Sequence, residues 1–230
     1  MHSAHEHPRQ NITIVGTNDP QPLENCYYTC LRRRMIEEQE YEYPLLEYDY
    51  RDRRILYEYS HKTIVRNAPI DFFEFGVFEG NSFRQWMQVN THADSRFYGF
   101  DSFEGLPEQW HAGGMEKGHF STQGQTPSIS DSRGQFIKGY FNQSLIPFLH
   151  HYERKNRMVI HVDADLCSSS LYVLMTMDPF IKRGTLIVFD DFGPADEYAA
   201  FYHYTCACSR QWKIVAARGD HHKLAVVITQ

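Results

Sequence analysis

The sequence predicts an α/β fold, a mostly parallel sheet covered by helices on both faces, and three observations carry that reading. From Ile70 onward, short apolar runs alternate with helix-length segments, the pattern of strands linked by crossover helices. The run Ile70-Asp71-Phe72-Phe73-Glu74-Phe75 breaks abruptly into Gly76-Val77-Phe78-Glu79-Gly80, as a buried strand does when it leaves a sheet through a tight turn. The last two runs are joined only by Gly219-Asp220-His221. That connection is too short for a crossover helix, so the final pair must be an antiparallel hairpin.

Taken in order, residues 1–22 are polar, contain Asn18-Asp19-Pro20-Gln21-Pro22, and read as a loosely docked arm. Residues 23–43 and 45–67 read as two helices, separated at Pro44 because proline disfavours helix in the residue before it. Their tyrosines, including Tyr28, Tyr48, Tyr50 and Tyr57, could line a substrate pocket or pack against the main domain or another subunit. Strands are expected at 70–75, 96–101, 134–138, 157–163, 184–190, 211–218 and 222–229, with helices at 80–90, 143–154, 168–182 and 195–208. Residues 1–67 thus form an arm and helical cap, and residues 68–230 the main domain. Between Pro107 and Arg133 lies a Gly-, Ser-, Gln- and His-containing segment, long for a structureless loop and placed to cover a site.

Composition narrows the function. The 230 residues support one domain with a full core. With 23 Lys and Arg against 29 Asp and Glu and no basic stripe, nucleic acid is excluded as the expected partner. Arg32-Arg33-Arg34 is followed by Glu37, Glu38 and Glu40, so it reads as a solvated helix face. No apolar run spans a membrane and no signal-peptide core is present, so the expected protein is soluble and cytoplasmic. Five cysteines without Cys-x-x-Cys pairing argue for reduced thiols, with Cys26, Cys30, Cys206 and Cys208 read as buried small residues. The histidine clusters His2/His5/His7 and His221/His222 read as tail and strand-end residues instead of metal ligands.

The turn after the first strand of the main domain suggests a nucleotide pocket. Its spacing is Glu-x-Gly-x-x-x-Gly, over Glu74, Gly76 and Gly80, and not the Gly-x-Gly-x-x-Gly that presents helix amides to a pyrophosphate. The next strand ends at Asp101, whose carboxylate can accept hydrogen bonds from a ribose diol. A ligand with a ribose and no phosphate fits that grammar, and S-adenosylmethionine (SAM) is the common one. A βα-turn glycine that binds nothing is the plain alternative.

Further blocks extend the pattern. Glu74-Phe75-Gly76-Val77, Phe100-Asp101-Ser102-Phe103-Glu104-Gly105-Leu106-Pro107 and His161-Val162-Asp163-Ala164-Asp165-Leu166, with Asp190-Asp191 beginning 27 residues after Asp163, closely resemble the macrocin O-methyltransferase family. The resemblance covers residues 55–230; Cys167 and Phe192 depart from it where tyrosine is usual. It implies a Rossmann-like class I methyltransferase, with a seven-stranded, mostly parallel sheet whose last strand is antiparallel, preceded by N-terminal helices. It also implies SAM bound by Glu74, Gly76, Val77, Gly80, Ser82, Asp101 and Ser102, with Glu74 near the methionine ammonium. The acceptor implied is a hydroxyl of a sugar, presented as a glycoside or nucleotide sugar. The N-terminal helices are candidates for a homo-oligomer contact.

Asp163 and Asp190/Asp191 end adjacent strands, so their side chains should meet at the carboxyl edge of the sheet. Three carboxylates so close repel unless neutralised, and a hard divalent cation, Mg²⁺ first, would neutralise them. Asp163 is the first candidate for the base, a role the resemblance associates with that position together with metal binding, and Asp165 is the second. Asp165 could instead cap the helix beginning near Ser168, leaving Asp190 and Asp191 to solvate a strand end. A nicotinamide-dependent oxidoreductase and a non-catalytic SAM-fold binding protein are the competing functional readings.

Overall fold

The computed structural model describes residues 23–38, 42–193 and 196–230; the polar arm, with His2, His5 and His7, lies outside them. Eight strands form one sheet: β1 (Leu45–Leu46), β2 (Ile70–Phe75), β3 (Arg96–Asp101), β4 (Gly134–Lys138), β5 (Arg157–Val162), β6 (Leu186–Phe189), β7 (Trp212–Arg218) and β8 (Leu224–Ile228). Their order is β1-β7-β8-β6-β5-β2-β3-β4, and β8 alone runs antiparallel to both its neighbours. The seven expected strands and the closing hairpin are all present.

Strand β2 shows why this is a three-layer fold. Every residue of it is buried, and its side chains alternate between two cores. Phe73 and Phe75 join the core under α4 (Phe141–Leu149), α5 (Cys167–Met177) and α6 (Asp196–Ala207). Ile70 and Phe72 join the other, under α2 (Arg54–Ser60) and α3 (Asn81–Val89), where Tyr57 stacks on Trp86. The helix α1 (Leu23–Glu37) lays Tyr28, Leu31 and Met35 against the first core and turns Arg33 and Arg34 outward, paired with Glu37 and Glu38.

The eighth strand corrects the expectation of helix from residue 45. Strand β7 would otherwise have an open edge; β1 closes it, with Pro44 and Leu46 carbonyls accepting from the Ala217 and Gly219 amides. Helix resumes only at α2, which continues into a π-helical turn, His61–Val65. The cysteine reading also changes: Cys30 and Cys206 are exposed and Cys208 is half-buried, while the Cys26 side chain lies outside the described residues.

Gly76 is required by packing alone. Its φ is +93° and a Cβ there would stand 1.7 Å from the Asp163 carbonyl oxygen, so the turn after β2 and the end of β5 touch through this position. We expect Gly76→Ala to cost about 2–4 kcal/mol and to lower the Tm accordingly; an unchanged melting curve would contradict the close approach.

Asp71, at the opposite end of β2, is wholly buried and accepts from Arg96, Tyr152 and the Lys155 and Asn156 amides. Burial pushes its pKa up, but these donors outweigh burial and hold it below the ordinary carboxylate value. A depressed folded pKa contributes stability above the unfolded value of about 4 and loses it as pH falls through the folded value. Asp71→Asn should therefore cost about 3 kcal/mol at pH 7, with the difference from wild type shrinking in denaturant melts run below about pH 4.

Candidate functional site

A cavity of about 820 Å³ opens at the carboxyl edge of the sheet, where β2, β3, β5 and β6 end. Gly76, Asp101 and Ser102 line it together with Asp163, Asp165, Asp190 and Asp191. The long segment after β3 forms part of its wall through Leu106, Trp110, Met115 and Phe120. That segment is folded on itself: Trp110 and Met115 exchange backbone hydrogen bonds, and Leu106, Trp110 and Leu166 make a small core of their own. The indole of Trp110 also donates to Asp196, 3.2 Å away in the first turn of α6.

At the glycine turn, Asp101 is tied to the backbone. One carboxylate oxygen accepts from the Val77 and Phe78 amides, both at 2.8 Å, and the other from Phe103 at 2.7 Å. A carboxylate has about four acceptor positions, so these bonds orient Asp101 toward the cavity with capacity for one more donor. Gly80 adopts φ +74° as the N-cap of α3. Val77 and Ser82 are buried behind the turn and do not line the cavity.

Register builds the carboxylate cluster. Val162 pairs with Phe189, which puts Asp163 beside Asp190 one step later, on the face of the sheet that meets α2. Arg53, just before α2, bridges them: the same guanidinium nitrogen lies 2.6 Å from Asp163 Oδ2 and 3.3 Å from Asp190 Oδ2. Lys223, 1% exposed, donates to Asp190 Oδ2 at 2.6 Å and to its carbonyl, and its ammonium lies over the Tyr50 ring. Asp191 accepts from the Tyr50 hydroxyl at 2.9 Å and faces His222 Nε2 at 3.2 Å.

These neighbours separate the carboxyls chemically. Burial and the Asp190 charge raise Asp163 to about 6 against the pull of Arg53. Asp165, in the left-handed region at φ +59°, is raised by burial and by Asp163 and Asp191 to about 9 and keeps its proton. Burial would also raise Asp191, but His222, Lys223 and Tyr50 outweigh it and hold the carboxyl low. Helix α5 begins after Leu166 with no side-chain cap, so Asp165 does not serve as its cap. Asp190 and Asp191 are 2% and 6% exposed, so neither solvates a strand end.

Glu74 lies elsewhere. It is wholly buried on the α2 face, absent from the cavity wall, with Oε1 2.9 Å from His161 Nδ1; His161 Nε2 in turn meets the Tyr57 hydroxyl at 3.2 Å. The Oε1 partner is a side chain on the neighbouring strand and not local backbone, and Glu74 Oε2 has no hydrogen-bond partner among the described residues.

Sequence reasoning missed Arg53, His222, Lys223 and Glu197. Glu197, wholly buried with its pKa pushed well up by burial, accepts from the Ala164 and Asp191 amides and so joins the ends of β5 and β6. Lys223 had a signal: pairing β8 with β6 through Leu224 and Phe189 places the residue before Leu224 beside Asp190. Arg53 had none, being one of several arginines in a polar stretch.

The donors suit a hard cation. Oxygens of Asp163, Asp165 and Asp191 lie within 4.8 Å of one another, and a second group joins His161, Asp163 and Asp190. Carboxylate oxygens are what Mg²⁺ and Ca²⁺ take, so the residues fit such an ion, with Arg53 standing between two of them. No described helix is long and apolar enough to cross a membrane.

Comparison with known proteins agrees with this architecture. No curated protein matches the chain. Among solved structures, the O-methyltransferase NovP aligns with TM-score 0.57 at 16% identity, over 90% of this chain and 99% of that one. CalS11, a calicheamicin methyltransferase, aligns with TM-score 0.58 at 14% identity over 97% and 99%; a second structure describes it as a TDP-rhamnose 3′-O-methyltransferase. An O-methyltransferase from Bacillus cereus, solved with S-adenosylhomocysteine (SAH), aligns with TM-score 0.52 at 10% identity over 94% of each chain. The family model described as a methyltransferase domain matches residues 73–192, just over half of the chain, and the protein therefore belongs to that methyltransferase family.

Proposed function

We propose that the protein is a SAM-dependent O-methyltransferase acting on a hydroxyl of a sugar or glycosylated small molecule, assisted by a divalent cation. The observation that carries the reading is one cavity lined both by a glycine turn with Asp101 and by a cluster of carboxylates. A nucleoside held at Asp101 would direct its sulfonium toward carboxylates, which favour positive charge. The sugar acceptor is supported by the likeness to NovP and CalS11, the second described as acting on a nucleotide sugar in calicheamicin biosynthesis. Natural-product tailoring is proposed on the same ground.

SAM brings an already activated methyl, so the protein's task is the acceptor, whose hydroxyl is a poor nucleophile. Asp163 is suited to take the proton: it borders the cavity, and its pKa is raised toward the operating range. Asp165 already carries its proton, which favours Asp163 for the base. The 106–120 segment contributes to the cavity wall, and a wall that held both reactants in line would supply the proximity that methyl transfer needs. A cation held by Asp163, Asp190 and Asp191 would lower the acceptor hydroxyl's pKa.

SAH at 100 times its Kd should stabilise the protein by about 2.7 kcal/mol, while NAD should leave the Tm unchanged because the turn lacks a pyrophosphate cradle. Asp101→Ala should weaken SAH by about tenfold or more, since it removes a charged acceptor and frees the Val77 and Phe78 amides. Equal stabilisation by NAD and SAH would favour the oxidoreductase reading.

Asp163→Asn should lower kcat by about 10² or more with a smaller effect on SAH affinity. The assay is methyl transfer to a panel of nucleotide sugars and glycosides at saturating Mg²⁺, repeated with EDTA, which should abolish most turnover. If Asp163→Asn kept its rate while Asp165→Asn lost it, the base would be Asp165.

A further inference from the structure

Of the two protein cations in the carboxylate cluster, only one can move. Lys223 is 1% exposed, has two bonds to Asp190 and is fixed at the start of β8. The Arg53 side chain is 30% exposed, lines the cavity and lies in the turn before α2, outside the sheet. Its terminal nitrogen nevertheless bridges oxygens from two adjacent strand ends, at 2.6 and 3.3 Å. A bridging position between Asp163 and Asp190 is also where a divalent cation shared by those carboxylates would sit.

We propose that Arg53 is a displaceable internal cation: its guanidinium occupies the space between Asp163 and Asp190 in the resting protein and swings into the cavity when a divalent cation takes its place. This rests on the metal-assisted reading above. The physical reason is charge accounting. Buried Asp190 and half-buried Asp163 without a counter-charge would repel, so an empty metal site is costly to fold. Arg53 with Lys223 removes that cost, and Arg53 can yield because its outer end already faces the cavity. The inner cation then sets the metal's apparent affinity, since the ion must expel a like charge from its own position.

The test is metal binding, read without turnover. Wild type, Arg53→Gln and Asp163→Asn are titrated with Mn²⁺, free ion being followed by electron paramagnetic resonance, and with Mg²⁺ by calorimetry. Arg53→Gln should bind about tenfold or more tighter than wild type, and Asp163→Asn should lose the site. In wild type, phenylglyoxal labelling located by mass spectrometry should reach Arg53 faster when Mg²⁺ is present. The labelling arm uses the unaltered chain, so it holds even if Arg53→Gln folds poorly. Equal affinity of wild type and Arg53→Gln, or unchanged labelling with Mg²⁺ bound at an Asp163-dependent site, would overturn the displacement. Absence of any binding in all three proteins, with SAH still bound, would instead remove the metal reading on which the displacement rests.

Discussion

Asp163 and Asp190 stand side by side because β5 and β6 pair in register, and the repulsion between these two carboxyls, one half-buried and one buried, is the constraint the rest of the site answers. The answer comes from distant parts of the chain. Arg53 arrives from the turn before α2, Tyr50 from the segment ahead of it, and His222 and Lys223 from the closing hairpin. Glu197, wholly buried, fastens the backbone of both strand ends by accepting from the Ala164 amide with one oxygen and from the Asp191 amide with the other. Electrostatics therefore binds the N-terminal segment and the C-terminal hairpin to one edge of the sheet. The hydrophobic cores position the strands; the ion pairs fix how their ends meet.

The parts of this arrangement that were legible in the sequence are those governed by local rules. Strands such as Ile70–Phe75 are buried on both faces and read as largely apolar runs, and a link of a few residues admits only a hairpin. That Asp163 meets Asp190 followed from their positions at adjacent strand ends, whereas Asp191 falls with Asp163 and Asp165 in a second group. What escaped depends on partners far apart in sequence. The ion pair of Arg53 with Asp163 spans 110 residues, and strand β1 exists only because β7 offers an unpaired edge. Glu74 shows the same limit: its place in the glycine motif suggests a ligand contact, yet His161 on the neighbouring strand takes it up. Asp101 faces the cavity as its position suggests, but its three backbone bonds could not be read from composition or spacing.

Two consecutive residues of α6 serve two different walls of the cavity. Asp196 receives the Trp110 indole and so anchors the long segment after β3, while Glu197 holds the amides of Ala164 and Asp191 beneath it. Neighbouring helix residues share one rigid backbone, so roof and floor are set by the same half-turn of chain. Exchanging the 107–133 segment to widen the range of acceptors is therefore not a local edit. A graft that pulled on Asp196 would tilt the start of α6 and, through Glu197, retune the spacing of the strand ends on which Asp163 and Asp191 are carried.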